Sequence, residues 1–305
     1  MEAGSKKIAV VAGGTGLIGS RLIPLLQQSG FYIRLLTRNP DSINIPEVEV
    51  IHWNTEPTKG LLKAINNSYV VVNLAGSSIA TLWTKKNKQR IINSRINSTR
   101  SISWAIENCE TPPKIFVQAS AVGIYPYSGN QIMDETCKHG NGFLAELTEK
   151  WEEATLKVSS ICRVILLRTG IVLAKEGGFL LKIAKPAKNF AGIYFGKGNQ
   201  QIPWIHIDDH VQIVLHLINN PNSQGAYNLV APNPENLKTL VKEVNKQLKR
   251  KFTFSIPITL LQLLLGNFAR ETLLASQHVV PKRLLNEGFQ WKHPTLQNAL
   301  ENLIS

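Results

Sequence analysis

Cysteine is nearly absent: of 305 residues only Cys109, Cys137 and Cys162 carry a thiol. An odd number without metal-ligand spacing excludes a disulfide scaffold and a Cys/His zinc site, and fits a reduced, cytoplasmic protein with no bound metal. Long apolar runs are also missing. Nothing approaches the ~20 residues that a membrane span needs, and Ile258 to Leu265 is short and contains Gln262. Lys6-Lys7 before Ile8-Ala9-Val10-Val11 has the outline of a signal peptide, but the apolar part is brief and runs into a glycine turn, so it reads as a strand. Aromatics are sparse, at 7%. The two densest basic runs, Lys85 to Arg90 and Lys246 to Lys251, are not interleaved with them as a stacking platform would be. Although Lys and Arg exceed Asp and Glu by 34 − 21 = 13, both runs lie at ends of predicted helices, where a solvated cationic face is ordinary. Neither a nucleic-acid nor a membrane partner is expected.

What is present begins with Gly13-Gly14-Thr15-Gly16-Leu17-Ile18-Gly19. Ile8 to Ala12 reads as a buried strand, and Leu17, Ile18, Leu22, Leu25 and Leu26 recur at helical spacing behind the glycines. A strand, a glycine turn and a helix cradle a dinucleotide pyrophosphate: the first glycine turns the chain, the second lets backbone approach the phosphates, the third lets helix pack on sheet. Three glycines alone are a weak signal; the second strand following Gly30 strengthens it.

Strand-like and helical segments alternate for two thirds of the chain, which predicts an α/β fold with a Rossmann-like, doubly wound parallel sheet. Expected strands are Ile8 to Ala12, Tyr32 to Thr37, Val48 to His52, Tyr69 to Leu74, Ile115 to Ala119, Arg163 to Val172 and Tyr227 to Val230. Expected helices cover 17–29, 57–66, 85–107 and 142–158, with Pro24 bending the first. Asp208-Asp209 is expected to cap a further apolar helix. The division expected is a dinucleotide-binding domain over 1–175, rejoined by 205–232. A smaller, mostly helical substrate region holds 176–204 and 233–305.

The end of the second strand selects the cofactor, because an acid there binds both ribose hydroxyls and repels a 2′-phosphate. No Asp or Glu lies between Gly19 and Asp41; Thr37-Arg38 offers a hydroxyl and a permanently charged fork instead. This favours NADP over NAD. Asn73-Leu74-Ala75-Gly76, at the end of the fourth strand, supplies small residues under which an adenosine could pass.

Together with Ser120-Ala121, Leu167-Arg168-Thr169-Gly170, Trp204 to Asp209 and Gly225 to Leu229, these segments resemble the extended branch of the short-chain dehydrogenase/reductase superfamily. Ser94-Arg95-Ile96, Ser120 to Tyr125, Lys150-Trp151-Glu152, Pro203 to Ile207 and Ser276 to Leu284 bring the chain closer to the epimerase family proteins related to NAD(P)-dependent sugar-nucleotide epimerases and dehydratases. The resemblance implies that Gly13, Gly16, Leu17 and Ile18 line the pyrophosphate, and that Thr37 and Arg38 meet the adenosine 2′-phosphate. It also implies Leu74 and Ala75 beside the adenosine, Arg95 as a phosphate partner and Val172 near the nicotinamide.

The enzymes of that superfamily use a Tyr with a Lys four residues later, the lysine lowering the phenol pKa toward working pH. That pair is missing: Gly142 to Lys150 contains no Tyr, with Phe143 and Leu147 where the pair belongs. Ser120 keeps the expected Ser position, and Tyr125 is the substitute proton carrier, with Tyr127 and Glu146 as further candidates. His206 reads as a hydrogen-bonding residue at a helix entry. Two functions follow. One is an NADP-dependent oxidoreductase or epimerase-like enzyme on a small carbonyl or hydroxyl substrate, sugar-derived ones included. The other is an NADP-binding redox sensor or scaffold without turnover. The amphipathic helix 85–107 offers a face on which two copies could pair.

Overall fold

The computed structural model describes residues 6–127, 129 and 131–304. Its strands are β1 (Lys7–Ala12), β2 (Phe31–Thr37), β3 (Val48–His52), β4 (Val70–Asn73), β5 (Ile115–Ala121), β6 (Arg163–Thr169), β7 (Ile171–Leu173), β8 (Gly192–Phe195), β9 (Trp204–His206), β10 (Gly225–Leu229) and β11 (Thr253–Ile256), besides a few two-residue pairs. The helices are α1 (Gly19–Gln28), α2 (Lys59–Ile65), α3 (Lys85–Asn108), α4 (Phe143–Glu153), α5 (Gly178–Asn189), α6 (Ile207–Asn219), α7 (Leu237–Gln247), α8 (Ile258–Leu265), α9 (Lys282–Asn286) and α10 (Leu296–Ile304).

Seven strands form one sheet in the order β10-β6-β5-β4-β1-β2-β3. The pairs β1–β2, β2–β3, β1–β4 and β4–β5 run parallel. The order reverses direction beside β1, so the crevice outside its carboxyl end is where such sheets take ligands. β1 and β4 are buried almost throughout, as a sheet covered on both faces requires. Val10, Leu36 and Val71 of the sheet pack with Leu61 and Ile65 of α2 and with Ile102 and Ile106 of α3. The Thr58 and Thr84 hydroxyls cap α2 and α3 by accepting from the Leu61 and Asn87 amides at 3.1 and 3.2 Å.

Two expectations need correction. The segment Arg163 to Val172 is two strands, not one: Gly170 donates to the Leu229 carbonyl at 3.1 Å, and β7 then pairs with β9 rather than with the large sheet. A Cβ on Gly170 would collide with the Pro203 carbonyl, so only glycine permits this departure. Pro24 lies inside α1, which runs to Gln28 with Leu22, Ile23 and Leu26 buried. Asp209 does not cap its own helix; its carboxylate accepts the Lys292 and His293 amides at 2.7 and 2.9 Å.

The chain divides into two compact units. The first contains the chain up to Ser120, with Glu149–Leu167 and Val211–Ala226; the second contains Ala121–Thr148, Arg168–His210 and the chain from Tyr227 onward. Among the described residues no helix is long and apolar enough to cross a membrane.

Candidate cofactor and active site

The first unit gathers the cofactor candidates at one edge of its sheet. Ala12 lies opposite Leu36 on one side and Asn73 on the other, so Gly13, Thr37 and Leu74 leave their strands side by side. Gly13 has φ +77°, and a Cβ there would come within 2.8 Å of the Leu74 and Ala75 backbone. Its neighbours therefore demand glycine. Gly16 differs: its φ is ordinary, and a Cβ would meet only the Gly13 carbonyl oxygen, at 3.3 Å. That contact is tight enough to favour glycine, and a loop whose backbone must approach a ligand closely favours it too. Leu17 and Ile18 lead into α1, which has no side-chain cap and no acid in its first turn. Its amino end is thus free to receive an anion.

Thr37 ends β2, and its hydroxyl accepts the Asn39 amide at 3.3 Å. Arg38 is exposed. Among the described residues no hydrogen bond or ion pair engages its guanidinium. Leu74 and Ala75 are half-buried; the Leu74 amide donates to Ala12 and the Ala75 amide to the Asn73 side chain, at 2.9 and 3.1 Å. Arg95 reaches this corner from α3. Its Nη1 donates to the Ser77 and Ile91 carbonyls at 3.0 and 3.3 Å, and its guanidinium lies 5.0 Å from the Trp151 ring centre. It also packs where a Gly76 Cβ would stand. Burial lowers its pKa to about 10, and no carboxylate among the described residues pairs with it. A sequestered cation without a counterion is unfavourable until an anion arrives.

Ser120 sits at the end of β5, with its hydroxyl donating to Glu152 Oε1 at 2.5 Å; both residues are buried. A polar ladder leads to the same region: Asn73 Nδ2 and Thr99 Oγ1 both donate to Gln118 Oε1, and Trp151 Nε1 donates to Thr99. Glu152 was not among the expected site residues. Its signal was present in Lys150-Trp151-Glu152, but nothing in the spacing says which member faces Ser120.

Tyr125, expected as the substitute proton carrier, lies in the second unit. It is fully buried in a cluster with Val122, Ile124, Met133, Val230 and Val279. Its hydroxyl donates to Asn228 Oδ1 at 2.8 Å and accepts from Arg168 Nη1 at 2.9 Å. Burial pushes the phenol up to about 12 against the opposing Arg168 charge. Glu135 closes the group by accepting the Asn228 amide at 3.1 Å. The Tyr127 hydroxyl is buried without a hydrogen-bond partner among the described residues, and burial also raises its pKa. Glu146 is exposed on α4. Val172, on β7, is half-buried opposite Ile205. His206 Nδ1 accepts the Asp208 amide at 3.0 Å and Nε2 meets Asn302, so it serves the entry to α6.

Comparison with known proteins gives the family and the fold. A profile of the NAD dependent epimerase/dehydratase family matches residues 9–230, and one for a domain of unknown function (DUF1731) matches residues 256–303. An epimerase family protein of Staphylococcus epidermidis is 32% identical over 97% of this chain and 98% of its own. The chloroplastic SDR39U1 homologue of Arabidopsis thaliana is 34% identical, over 98% of this chain and 87% of its own. The crystal structure of human SDR39U1 (isoform 2) with NADPH superposes with TM-score 0.87 at 29% identity, covering 97% of this chain and 99% of that one. UDP-N-acetylglucosamine 4-epimerase from Bacillus cereus shares the fold, with TM-score 0.78 at 13% identity over 98% and 95% of the two chains. Full-length relatives and a profile spanning most of the chain thus agree with the glycine loop and the strand order: the chain belongs to the NAD dependent epimerase/dehydratase family.

Proposed function

We propose that the protein is an NADP(H)-dependent oxidoreductase or epimerase-like enzyme for a small carbonyl or hydroxyl compound, sugar derivatives included. The observation that carries this reading is Arg38, an exposed guanidinium without a partner among the described residues, just past Thr37. It matches a 2′-phosphate, and no acid stands there to repel one. The NADPH in the human SDR39U1 crystal structure supports the same choice.

Gly13, Gly16, Leu17 and Ile18 would hold the pyrophosphate, with Leu74 and Ala75 beside the adenosine, Arg95 offering charge to a phosphate and Val172 near the nicotinamide. The dinucleotide, when bound, supplies or accepts a hydride. Ser120 and Glu152 handle the proton. In the oxidising direction a substrate hydroxyl gives its proton to Ser120 Oγ while the Ser120 proton passes to the Glu152 carboxylate, and reduction reverses both transfers. Tyr125 keeps Arg168 and Asn228 in place. Titration should show NADPH binding at least about tenfold more tightly than NADH, the difference expected from one charge-assisted phosphate contact. Equal affinities overturn the cofactor assignment.

The second reading, an NADP-binding sensor or scaffold, is favoured by one observation: α4 has no tyrosine, and the Tyr125 hydroxyl is already bound on both sides. Tight NADPH binding with no turnover of any aldehyde, ketone or nucleotide sugar would select it.

A further inference from the structure

We propose that the second unit docks on an anionic lipid surface through α8, β11 and Phe190, lying in the headgroup layer without crossing it. The exposures are the starting point: Phe190 85%, Phe252 69%, Phe254 62%, Leu263 83% and Leu264 68%. Scattered apolar residues on a surface mean little, but a contiguous patch marks an interaction site. These residues are contiguous. β11 runs parallel to β8 with Phe254 opposite Ile193, and the Gly192 amide donates to the Phe252 carbonyl at 3.1 Å, which brings Phe252 beside the Phe190 turn. Phe252 and Phe254, two apart, share one face of the strand. The chain then enters α8, where Leu260, Leu263 and Leu264 form an exposed i, i+3, i+4 stripe and Leu261, at the edge of it, is buried.

Charge identifies the occupant. Lys182, Lys185 and Lys188 follow one another at three-residue steps on the exposed face of α5. Lys246, Lys249, Arg250 and Lys251 are exposed ahead of β11, and Arg250 Nη2 donates to the Lys188 carbonyl at 2.7 Å, joining the two groups. There is no Asp or Glu from 177 to 207 or from 244 to 270. A second copy of the chain would set this cationic rim against its like, which is repulsive. Lys246 is paired with Glu243 at 3.7 Å, while the other cations of the rim have no such pair among the described residues. Leucine and phenylalanine bordered by lysine and arginine is the composition of an interfacial helix on anionic lipid. Eight residues span only ~12 Å, so α8 lies in the surface. The absence of a spanning segment therefore does not oppose this mode, and the proposal replaces the expectation of no membrane partner.

The test is flotation of the full-length protein with phosphatidylcholine vesicles and with vesicles that also contain phosphatidylglycerol. The protein should float with the anionic vesicles at low salt, be released as salt rises, and stay behind with phosphatidylcholine alone. Two variants, Leu263→Ser with Leu264→Ser, and Lys249→Gln with Lys251→Gln, should each weaken flotation at least about tenfold. Both should keep the wild-type melting temperature, because their side chains point to solvent. Failure to float with anionic vesicles at low salt overturns the proposal, as does unchanged binding by either variant. A wild type that is dimeric by light scattering, becomes monomeric on the leucine substitutions and ignores vesicles would assign the patch to a second copy instead.

Discussion

Two arginines set the units against each other. Arg38, in the first, follows a strand end and its guanidinium makes no hydrogen bond or ion pair among the described residues. Arg168, in the second, is buried, with Nη1 donating to the Tyr125 hydroxyl at 2.9 Å and to the Glu135 carbonyl at 3.3 Å. The same contrast recurs. Arg95 of the first unit has carbonyls but no carboxylate, whereas Arg283 of the second lies 3.8 Å from the Tyr227 ring centre and donates to its hydroxyl, which in turn donates to Glu287. Arg38 and Arg95, left without anions, suit a site that receives a phosphorylated ligand; Arg168 and Arg283, enclosed by hydrogen bonds, suit segments that hold their own loops together, as Arg163 does in the first unit.

The strongest way to break this contrast is Arg168→Met. It removes a buried charge that several groups were arranged around, and the expected loss is about 3 kcal/mol or more in urea unfolding. A loss under about 0.5 kcal/mol, the range of ordinary surface changes, would mean that the second unit does not depend on its internal network.

Acid should weaken the second unit next. Burial, reinforced by the His293 charge, lowers the His206 pKa to about 4, and burial lowers His210 to about 3. Both therefore fold neutral, while their unfolded counterparts take up protons near pH 6.5. Their stabilisation is complete above that pH and is lost as pH falls toward about 4 for His206 and about 3 for His210. The Asp209 carboxyl, held above its usual range by burial, offsets part of the loss. About 2–3 kcal/mol per histidine, before the Asp209 offset, should disappear between neutrality and roughly pH 4.5. A pH-independent urea midpoint over that span would contradict the assignment, and His206→Gln should flatten the slope.

How much of this was legible follows from where each signal resides. The glycine loop, the strand Val48 to His52 and the Thr37-Arg38 position are local features, and all appear where the pattern puts them. Gly170 was legible as a glycine but not as a switch between sheets, because the colliding carbonyl belongs to Pro203, far along the chain. Asp209 looked like a helix cap; its amide donors lie 83 and 84 residues later. Ser120 was found and Glu152 was not, since hydrogen bonding across 32 residues leaves no periodicity to detect. The exposure of α8 was not legible either, because nothing within Ile258 to Leu265 tells which of its leucines the fold leaves facing outward. Propensity reports what a residue prefers, not whether the fold provides a partner for it.

Arg38→Ala probes the other side of the comparison with a smaller effect. NADPH should lose ~1–3 kcal/mol, NADH almost nothing, and the melting temperature should hardly move, because the side chain is exposed and makes no hydrogen bond or ion pair among the described residues. Equal weakening of both cofactors would make Arg38 a structural residue, and the contrast with Arg168 would vanish.

Tyr125→Phe is the smallest and most discriminating change. The ring stays in its apolar cluster, so only the hydroxyl is removed. Asn228 Oδ1 then loses its donor and Arg168 one acceptor, at a cost of about 1 kcal/mol in stability. If the hydroxyl only holds that pair, turnover of any substrate found should remain near wild type, and the pH–rate profile should keep its shape. If Tyr125 lies in the proton path, kcat should fall by about a hundredfold or more, the usual contribution of a general acid or base, while stability changes no more than stated. That outcome would transfer the proton step from Ser120 and Glu152 to the second unit, whose hydrogen bonds would then have to open during each turnover.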